Sequence, residues 1–247
     1  MNIAKNLIET ARPLSKGCII ADVRVGLGYT IVEVSDGSAG LAWTPDKQQS
    51  GSCTHLRQAG GLVGMEAGEL LSWLDSESFQ ERAIGLATFN ALNSKVERKL
   101  FDEESISLLG IKSTDHVVMV GYFAPLINKI KVTGCQLSIV ELNSDKPGVI
   151  AVGPGLAALG ACDVAIITST SIINKSIGGL LAALTGQRAA VMLGPSTPVC
   201  PEAFAGTGIT QLSGAYVFDV AKAKEIVSQG GGTMLLKKTM RFASAEV

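Results

Sequence analysis

The stretch from residue 116 to 141 constrains the fold most, because it reads as a strand, a turn, a helix and a second strand. Residues 117–120 form a short apolar run, β-branched at three of its four positions, which is typical of a strand buried on both faces. Gly121 ends this run, and Pro125 stands where its fixed φ suits a first helical turn. Residues 137–140 predict a second buried strand. A βαβ unit of this kind makes its two strands parallel neighbours, so the sequence predicts a parallel sheet.

The first hundred residues have a different pattern. It predicts a helix over residues 2–15 and strands over 18–25, 29–34 and 39–43, followed by helices over 67–74 and 79–99. Strands followed by helices are typical of an α+β module. The polar stretch 102–107 is the best candidate for a linker. We therefore predict two domains, residues 1–105 and residues 106–247.

Strands and helices alternate from about residue 112, which is typical of an α/β domain. After the opening βαβ unit, strands are predicted over 149–152, 164–168, 189–193 and 216–218. Helices are predicted over 156–160, 174–184, 201–205 and 219–229. The tail, residues 233–247, is amphipathic, and its pattern assigns it to no element.

The composition excludes several classes of function. No stretch approaches the roughly 20 apolar residues of a membrane span. The net charge is −1 and aromatic residues make up 5%, so the chain has neither the basic surface nor the stacking platforms that nucleic acid needs. The high apolar content, 47%, fits a sheet buried on both faces and a buried subunit interface, so we expect a homodimer. The start lacks a signal peptide and the five cysteines are scattered, so we expect a cytoplasmic protein with reduced thiols.

Polar turns at the ends of the predicted strands form the candidate site. Ligands of open parallel sheets bind at the carboxyl ends of the strands, where Gly121, Tyr122 and Glu141 are expected to lie. Two further turns join a buried strand to a helix and carry hydroxyl and amide groups suited to an anionic or polar ligand. Helix capping is the alternative role for these groups. The residues are Thr168, Thr170 and Asn174 in one turn, and Gly194, Ser196 and Thr197 in the other.

Glu141 follows Gly121 at about the spacing of the ribose-binding acid in dinucleotide folds, some 20 residues. The turn after Gly121 nevertheless lacks the G-x-G-x-x-G fingerprint, and Pro125 supplies no N–H group. The segment Gly153-Pro-Gly-Leu-Ala-Ala158 fits G-x-G-x-x-A formally, but no acid follows about 20 residues later. Dinucleotide binding is therefore not favoured. Glu141 is either a ligand contact or an ordinary solvated carboxylate.

Cys53 and His55 lie in a long polar loop, residues 44–61, and are the candidate metal ligands. Thiolate and imidazole groups bind zinc, copper and heavier metals. Two ligands do not complete a site, so others such as Glu66 or Glu141 would have to join them, and the alternative is an ordinary loop cysteine and histidine. With two histidines and no G-x-S-x-G segment, a hydrolase is not expected, and the sequence contains no P-loop.

The motifs of the second half resemble the DUF364 family, whose members usually carry a preceding DUF4213 domain. The resemblance covers about half of the chain, from residue 117 to 219. One turn departs from the family's pattern, since Ser169-Thr-Ser171 stands where a glycine and a second threonine are expected. The matching segments are Val120-Gly-Tyr-Phe-Ala-Pro125, Glu141, Asp163-Val-Ala-Ile-Ile-Thr-Ser-Thr-Ser-Ile-Ile-Asn174 and Leu193-Gly-Pro-Ser-Thr-Pro198.

The resemblance implies a Rossmann-like second domain, a first domain like the N-terminal domain of enolase, and a ligand cleft between them. The polar turns named above and Pro125 would line this cleft. The family's description proposes heavy-metal chelation, so we expect a protein that binds a divalent or heavy metal ion, a metal chelate or a small anionic ligand. One alternative is an enzyme that acts on a small anionic metabolite, with or without a nucleotide-like cofactor. Another is a structural or regulatory dimer.

Overall fold

The computed structural model describes residues 2–45, 56–102, 105–141 and 148–247. The first half begins with α1 (Ile3–Ala11), which is capped by Asn2, whose side chain accepts a hydrogen bond from the N–H of Lys5 at 3.2 Å. A three-stranded antiparallel sheet follows, in the order β1-β2-β3. Its strands are β1 (Ile20–Val25), β2 (Tyr29–Val34) and β3 (Ala39–Trp43).

A long buried helix of the first half packs against elements of both halves of the molecule. After α2 (Ala67–Ser72) and a 3-10 turn (Trp73–Asp75), α3 (Phe79–Asn93) is buried from its fourth residue to its last. A helix buried on all sides belongs in a core, and α3 packs against β2 and β3. The predicted helix to residue 99 is too long. The Ser94 hydroxyl donates to the carbonyl of Ala91 at 2.8 Å, a local bond that competes with helix continuation.

The second half is built around a seven-stranded sheet, and the predicted α/β fold class is confirmed. The strands are β4 (His116–Val120), β5 (Gln136–Val140), β6 (Val149–Ile150), β7 (Val164–Thr168), β8 (Ala189–Leu193), β9 (Gln211–Val217) and β10 (Met240–Glu246). Their order is β10-β9-β8-β7-β4-β5-β6, parallel except for the antiparallel pair of β9 and β10. The helices are α4 (Ser105–Leu108), α5 (Ala124–Val132), α6 (Val152–Gly160), α7 (Thr170–Ile173), α8 (Ile177–Ala182), α9 (Pro201–Phe204), α10 (Val220–Ser228) and α11 (Thr233–Leu236).

Three further element predictions need correction. The linker candidate contains the start of α4, which places Ile106 in the core under the sheet. The helix predicted over residues 174–184 is shorter, since α8 begins at Ile177 and ends at Ala182. Lys175 adopts a left-handed φ of 62° and separates α8 from α7, a short helix that was not predicted. The unassigned tail forms α11 and β10, an edge strand paired with β9 along its whole length.

The largest hydrophobic cluster includes residues from both halves. Ile84 and Phe89 of α3 belong to the same cluster as Val118 of β4 and Met192 of β8. The two-domain division and the enolase-like character of the first half stay predictions. Within the described residues, no helix is both long enough and apolar enough to cross a membrane.

Candidate functional site

A cavity of about 360 Å³ lies at the carboxyl ends of β4, β5 and β7, the edge where parallel sheets bind ligands. This volume is at the small end of the range for ligand pockets. The turn after β4, the end of β5 and the turn after β7 contribute to its wall, and Trp43 at the end of β3 contributes from the other sheet. The lining residues are Trp43, Val120, Gly121, Tyr122, Phe123, Val140, Glu141, Val152, Gly155, Leu156, Thr168, Thr170, Asn174, Ser176 and Leu180.

The cavity brings together six of the ten predicted ligand residues: Gly121, Tyr122, Glu141, Thr168, Thr170 and Asn174. The other four, Pro125, Gly194, Ser196 and Thr197, are not part of its lining. Sequence reasoning missed the apolar part of the wall and Trp43. The phenylalanine after Tyr122 stood in a quoted motif, but no sequence signal connects Trp43 to the rest of the lining, which begins at Val120.

Gly121 lets the turn after β4 lie close against the end of β7. Its φ is +100°, a left-handed value that glycine adopts without strain. A Cβ at this position would lie 3.0 Å from the Cβ of Thr168. Any larger residue would push the two turns apart, so glycine fixes this part of the cavity wall.

Hydroxyl groups cluster at the end of β7. Thr168 Oγ1 and Thr170 Oγ1 lie 3.0 Å apart, and both residues line the cavity. Between them, Ser169 is buried and its hydroxyl lies 2.6 Å from that of Thr197. Two residues of the cavity wall therefore carry a close pair of hydroxyl oxygens, while the serine between them is bonded within the protein.

The start of α3 holds the break between α7 and α8. The buried Arg82 donates from Nε to the carbonyl of Ile173 and from Nη1 to the carbonyl of Ser76, the latter at 2.5 Å. Burial lowers the pKa of this guanidinium group. In the break itself, Asn174 Oδ1 accepts from the N–H of Ser176 at 3.0 Å, and both residues line the cavity.

Two helices begin beside the cavity, and each has a proline in its first turn: Pro125 in α5 and Pro154 in α6. Proline supplies no N–H group. The next N–H of α6, from Gly155, already bonds the carbonyl of Ala151 at 2.9 Å. These helix starts therefore offer fewer donors to a pyrophosphate than a glycine-rich dinucleotide turn does.

Gly194, Ser196 and Thr197 lie behind the cavity wall. Ser196 and Thr197 are 3% and 2% exposed. The N–H of Trp43 donates to Ser196 Oγ at 2.8 Å. In the structure these hydroxyls contact other protein groups, and a ligand-binding role for them stays a prediction.

The two predicted metal ligands, Cys53 and His55, lie outside the described residues. Among the described residues, no group of three or more His, Cys, Asp or Glu side chains is arranged to hold a metal ion. Burial raises the pKa of the Cys162 thiol to about 11 and that of Cys200 to about 12. Thiols of such high pKa are poor metal ligands and poor nucleophiles.

The sequence model of the DUF364 family, described as "Putative heavy-metal chelation", matches residues 104–246. The model of the DUF4213 family, with the same description, matches residues 7–93. A curated relative, an uncharacterised protein from Methanocaldococcus jannaschii, is 23% identical over 225 residues, which are 89% of this chain and 86% of the relative.

Two solved structures share the fold, and both are described as DUF364-family proteins of unknown function. The one from Pyrococcus horikoshii is 21% identical, with a TM-score of 0.86 over 99% of this chain and 100% of its own. The one from Desulfitobacterium hafniense is also 21% identical, with a TM-score of 0.79 over 98% of this chain and 99% of its own. At this identity the likeness shows the fold alone.

Proposed function

This chain belongs to the DUF364 family. We propose that it binds a small organic molecule in the cavity beside Glu141, and that this molecule carries a bound metal ion, in line with the chelation that the family's description names. The cavity carries this proposal, because it joins one carboxylate to a set of hydroxyl, amide, aromatic and aliphatic groups. Ligand pockets have this composition: an apolar wall and a few polar groups that orient the ligand. Glu141, Thr168 and Thr170 would bind the polar end of the molecule, and Trp43 and Leu156 would cover its apolar part.

The chemistry of the cavity decides how a metal would be held. Its described polar groups are oxygen donors, together with the amide of Asn174. Heavy metals prefer sulfur and nitrogen ligands. These side chains alone therefore do not fit a heavy-metal site, and we propose that the metal is bound as a chelate whose organic part supplies the main donors. Cys53 and His55 remain candidates for further ligands.

The enzyme alternative has less support. No His, Lys or Arg side chain is part of the described lining. An anionic metabolite is usually bound by a cationic side chain. Acid–base catalysis usually needs a pair of groups, one that donates a proton and one that accepts it. Glu141 alone does not provide either.

The proposal is tested by thermal unfolding with zinc(II) or nickel(II) alone, with a panel of small chelators alone, from picolinate to ethylenediamine, and with each metal–chelator pair. We expect at least one pair to stabilise the protein more than either component does. At 100 times its dissociation constant, a ligand adds about 2.7 kcal/mol to the free energy of unfolding.

The matched variants are Glu141→Gln, inside the cavity, and Glu97→Gln, an exposed carboxylate outside its lining. Stabilisation should be lost with the first and kept with the second. Stabilisation by metal alone that survives Glu141→Gln but is lost with Cys53→Ser or His55→Ala would instead place chelation in the 44–61 loop. No stabilisation by any pair would contradict the proposal.

A further inference from the structure

We infer that the turn formed by residues 194–197, the brace turn, fixes the relative position of two walls of the cavity. Ser196 and Thr197 are positioning residues in this account: they act through Trp43 on one wall and through the Thr168–Thr170 pair on the other. The inference rests on the proposed function in one respect: it treats the cavity as a ligand-binding site.

The first wall depends on Ser196. The hydroxyl oxygen of this serine accepts the N–H of Trp43 at 2.8 Å, and its carbonyl accepts the side-chain amide of Asn90 at 3.2 Å. The same amide of Asn90 donates to the carbonyl of Leu41 at 2.8 Å. Ser196 and Asn90 therefore hold the last residues of β3, including Trp43, at a fixed place relative to the brace turn.

The second wall depends on Thr197. Its hydroxyl lies 2.6 Å from that of Ser169, which is 1% exposed. Ser169 is the residue between Thr168 and Thr170, which both line the cavity. A displacement of Thr197 would therefore move the oxygen pair of this wall.

The brace turn itself has little freedom to move. The N–H of Thr197 bonds the carbonyl of Gly194 at 3.0 Å, which closes the turn. On its far side, β9 approaches so closely that a Cβ on Gly214 would lie 2.6 Å from the carbonyl oxygen of Thr197. Buried polar networks whose groups are all bonded are rigid. Both cavity walls are thus attached to one rigid segment, which sets the width available to a ligand.

Trp43 reports on this arrangement directly, because the chain has two tryptophans and Trp73→Phe leaves Trp43 alone. In that background, Ser196→Ala removes the acceptor for the Trp43 N–H. We expect red-shifted tryptophan emission, stronger quenching by acrylamide and an about fivefold loss of hydrogen-exchange protection at the Trp43 amide. Ser196→Thr keeps the hydroxyl and should restore the background values. Ser244→Ala, a buried serine of β10 outside the cavity lining, is the matched control and should leave all three unchanged.

Thr197→Val provides the second test, since it keeps the side-chain volume and removes only the bond to Ser169. It should lower the hydrogen-exchange protection of the Ser169 amide, which donates to the carbonyl of Leu193 at 3.3 Å. Unchanged emission, quenching and exchange in folded Ser196→Ala, or unchanged exchange at the Ser169 amide in folded Thr197→Val, would overturn the inference. These measurements need no ligand, so they stand or fall independently of the binding proposal.

Discussion

Arg82 is a buried charge placed where it holds the cavity wall. Its guanidinium group donates to the carbonyl of Ile173, the residue before Asn174. The Cζ atom of Arg82 lies 4.6 Å from the centre of the Phe79 ring. Its Nη2 atom is buried and has no hydrogen-bond partner among the described residues. A buried charge with one unbonded nitrogen weakens the fold, so we interpret this residue as serving the position of Asn174 rather than stability alone.

Arg82→Met should nevertheless destabilise the protein, because it leaves the carbonyls of Ile173 and Ser76 without their donor. The expected loss is about 3 kcal/mol in the free energy of unfolding, measured in urea. Arg12→Met, at an exposed arginine, is the control and should change stability by less than about 0.5 kcal/mol. A loss in Arg82→Met as small as that in the control would contradict this view of the α7–α8 break.

Asp115 gives the fold a predictable response to acid. The backbone N–H of Lys112 and the guanidinium of Arg188 hold the pKa of this buried carboxyl below its ordinary value. Its stabilising contribution is therefore complete above the unfolded pKa of about 3.9 and is lost as the pH falls through the lower folded pKa. Asp115→Asn should be less stable than the wild type at pH 7, and the difference should shrink toward pH 3. A difference that stays constant in urea titrations over this range would rule the effect out.

Helix α6 has a glycine that is packed against β5, Gly155, and a glycine that is not, Gly153. A Cβ on Gly155 would lie 2.4 Å from Cγ1 of Val140, whereas a Cβ on Gly153 would meet no described residue within 4 Å. Gly155→Ala should therefore destabilise by about 1–3 kcal/mol, and Gly153→Ala should be neutral or stabilise by up to about 1 kcal/mol. Thermal unfolding of both variants checks this. Equal effects would show that α6 does not pack on β5 as closely as described.

Strands β4, β7 and β8 could be predicted from the sequence because each is an apolar run that ends at a glycine or a hydroxyl-rich turn. The rule that ligands bind at the carboxyl ends of parallel strands then predicted ligand residues, of which six out of ten line the cavity. The break at Lys175 could not be predicted, since lysine is a good helix former and the ion pair with Glu77 that accompanies it involves a distant residue. The bond between Trp43 and Ser196 joins residues 153 positions apart and leaves no local signal.

At the scale of the whole molecule, contacts between the two halves predict a single unfolding transition. The main hydrophobic cluster spans both halves. In addition, Lys224 of α10 bonds Glu33 of β2 at 2.5 Å and lies 3.2 Å from Asp22 of β1. Both tryptophans lie in the first half, so tryptophan fluorescence follows the unfolding of that half, whereas far-ultraviolet circular dichroism follows the whole molecule. If the two halves unfold together, the two probes should give coincident urea transitions. Two separated transitions would support independent domains at residues 1–105 and 106–247. The homodimer and the cytoplasmic location stay predictions.

The most direct measurement follows Trp43 emission in the Trp73→Phe variant during titration with metal–chelator pairs. Trp43 lines the cavity beside Glu141, so a molecule bound there should change its emission in a saturable way. The account predicts such a change for the pairs that raise thermal stability, its loss in Glu141→Gln and its retention in Glu97→Gln. Stabilising pairs that leave Trp43 emission unchanged would show that they bind elsewhere and would contradict the account.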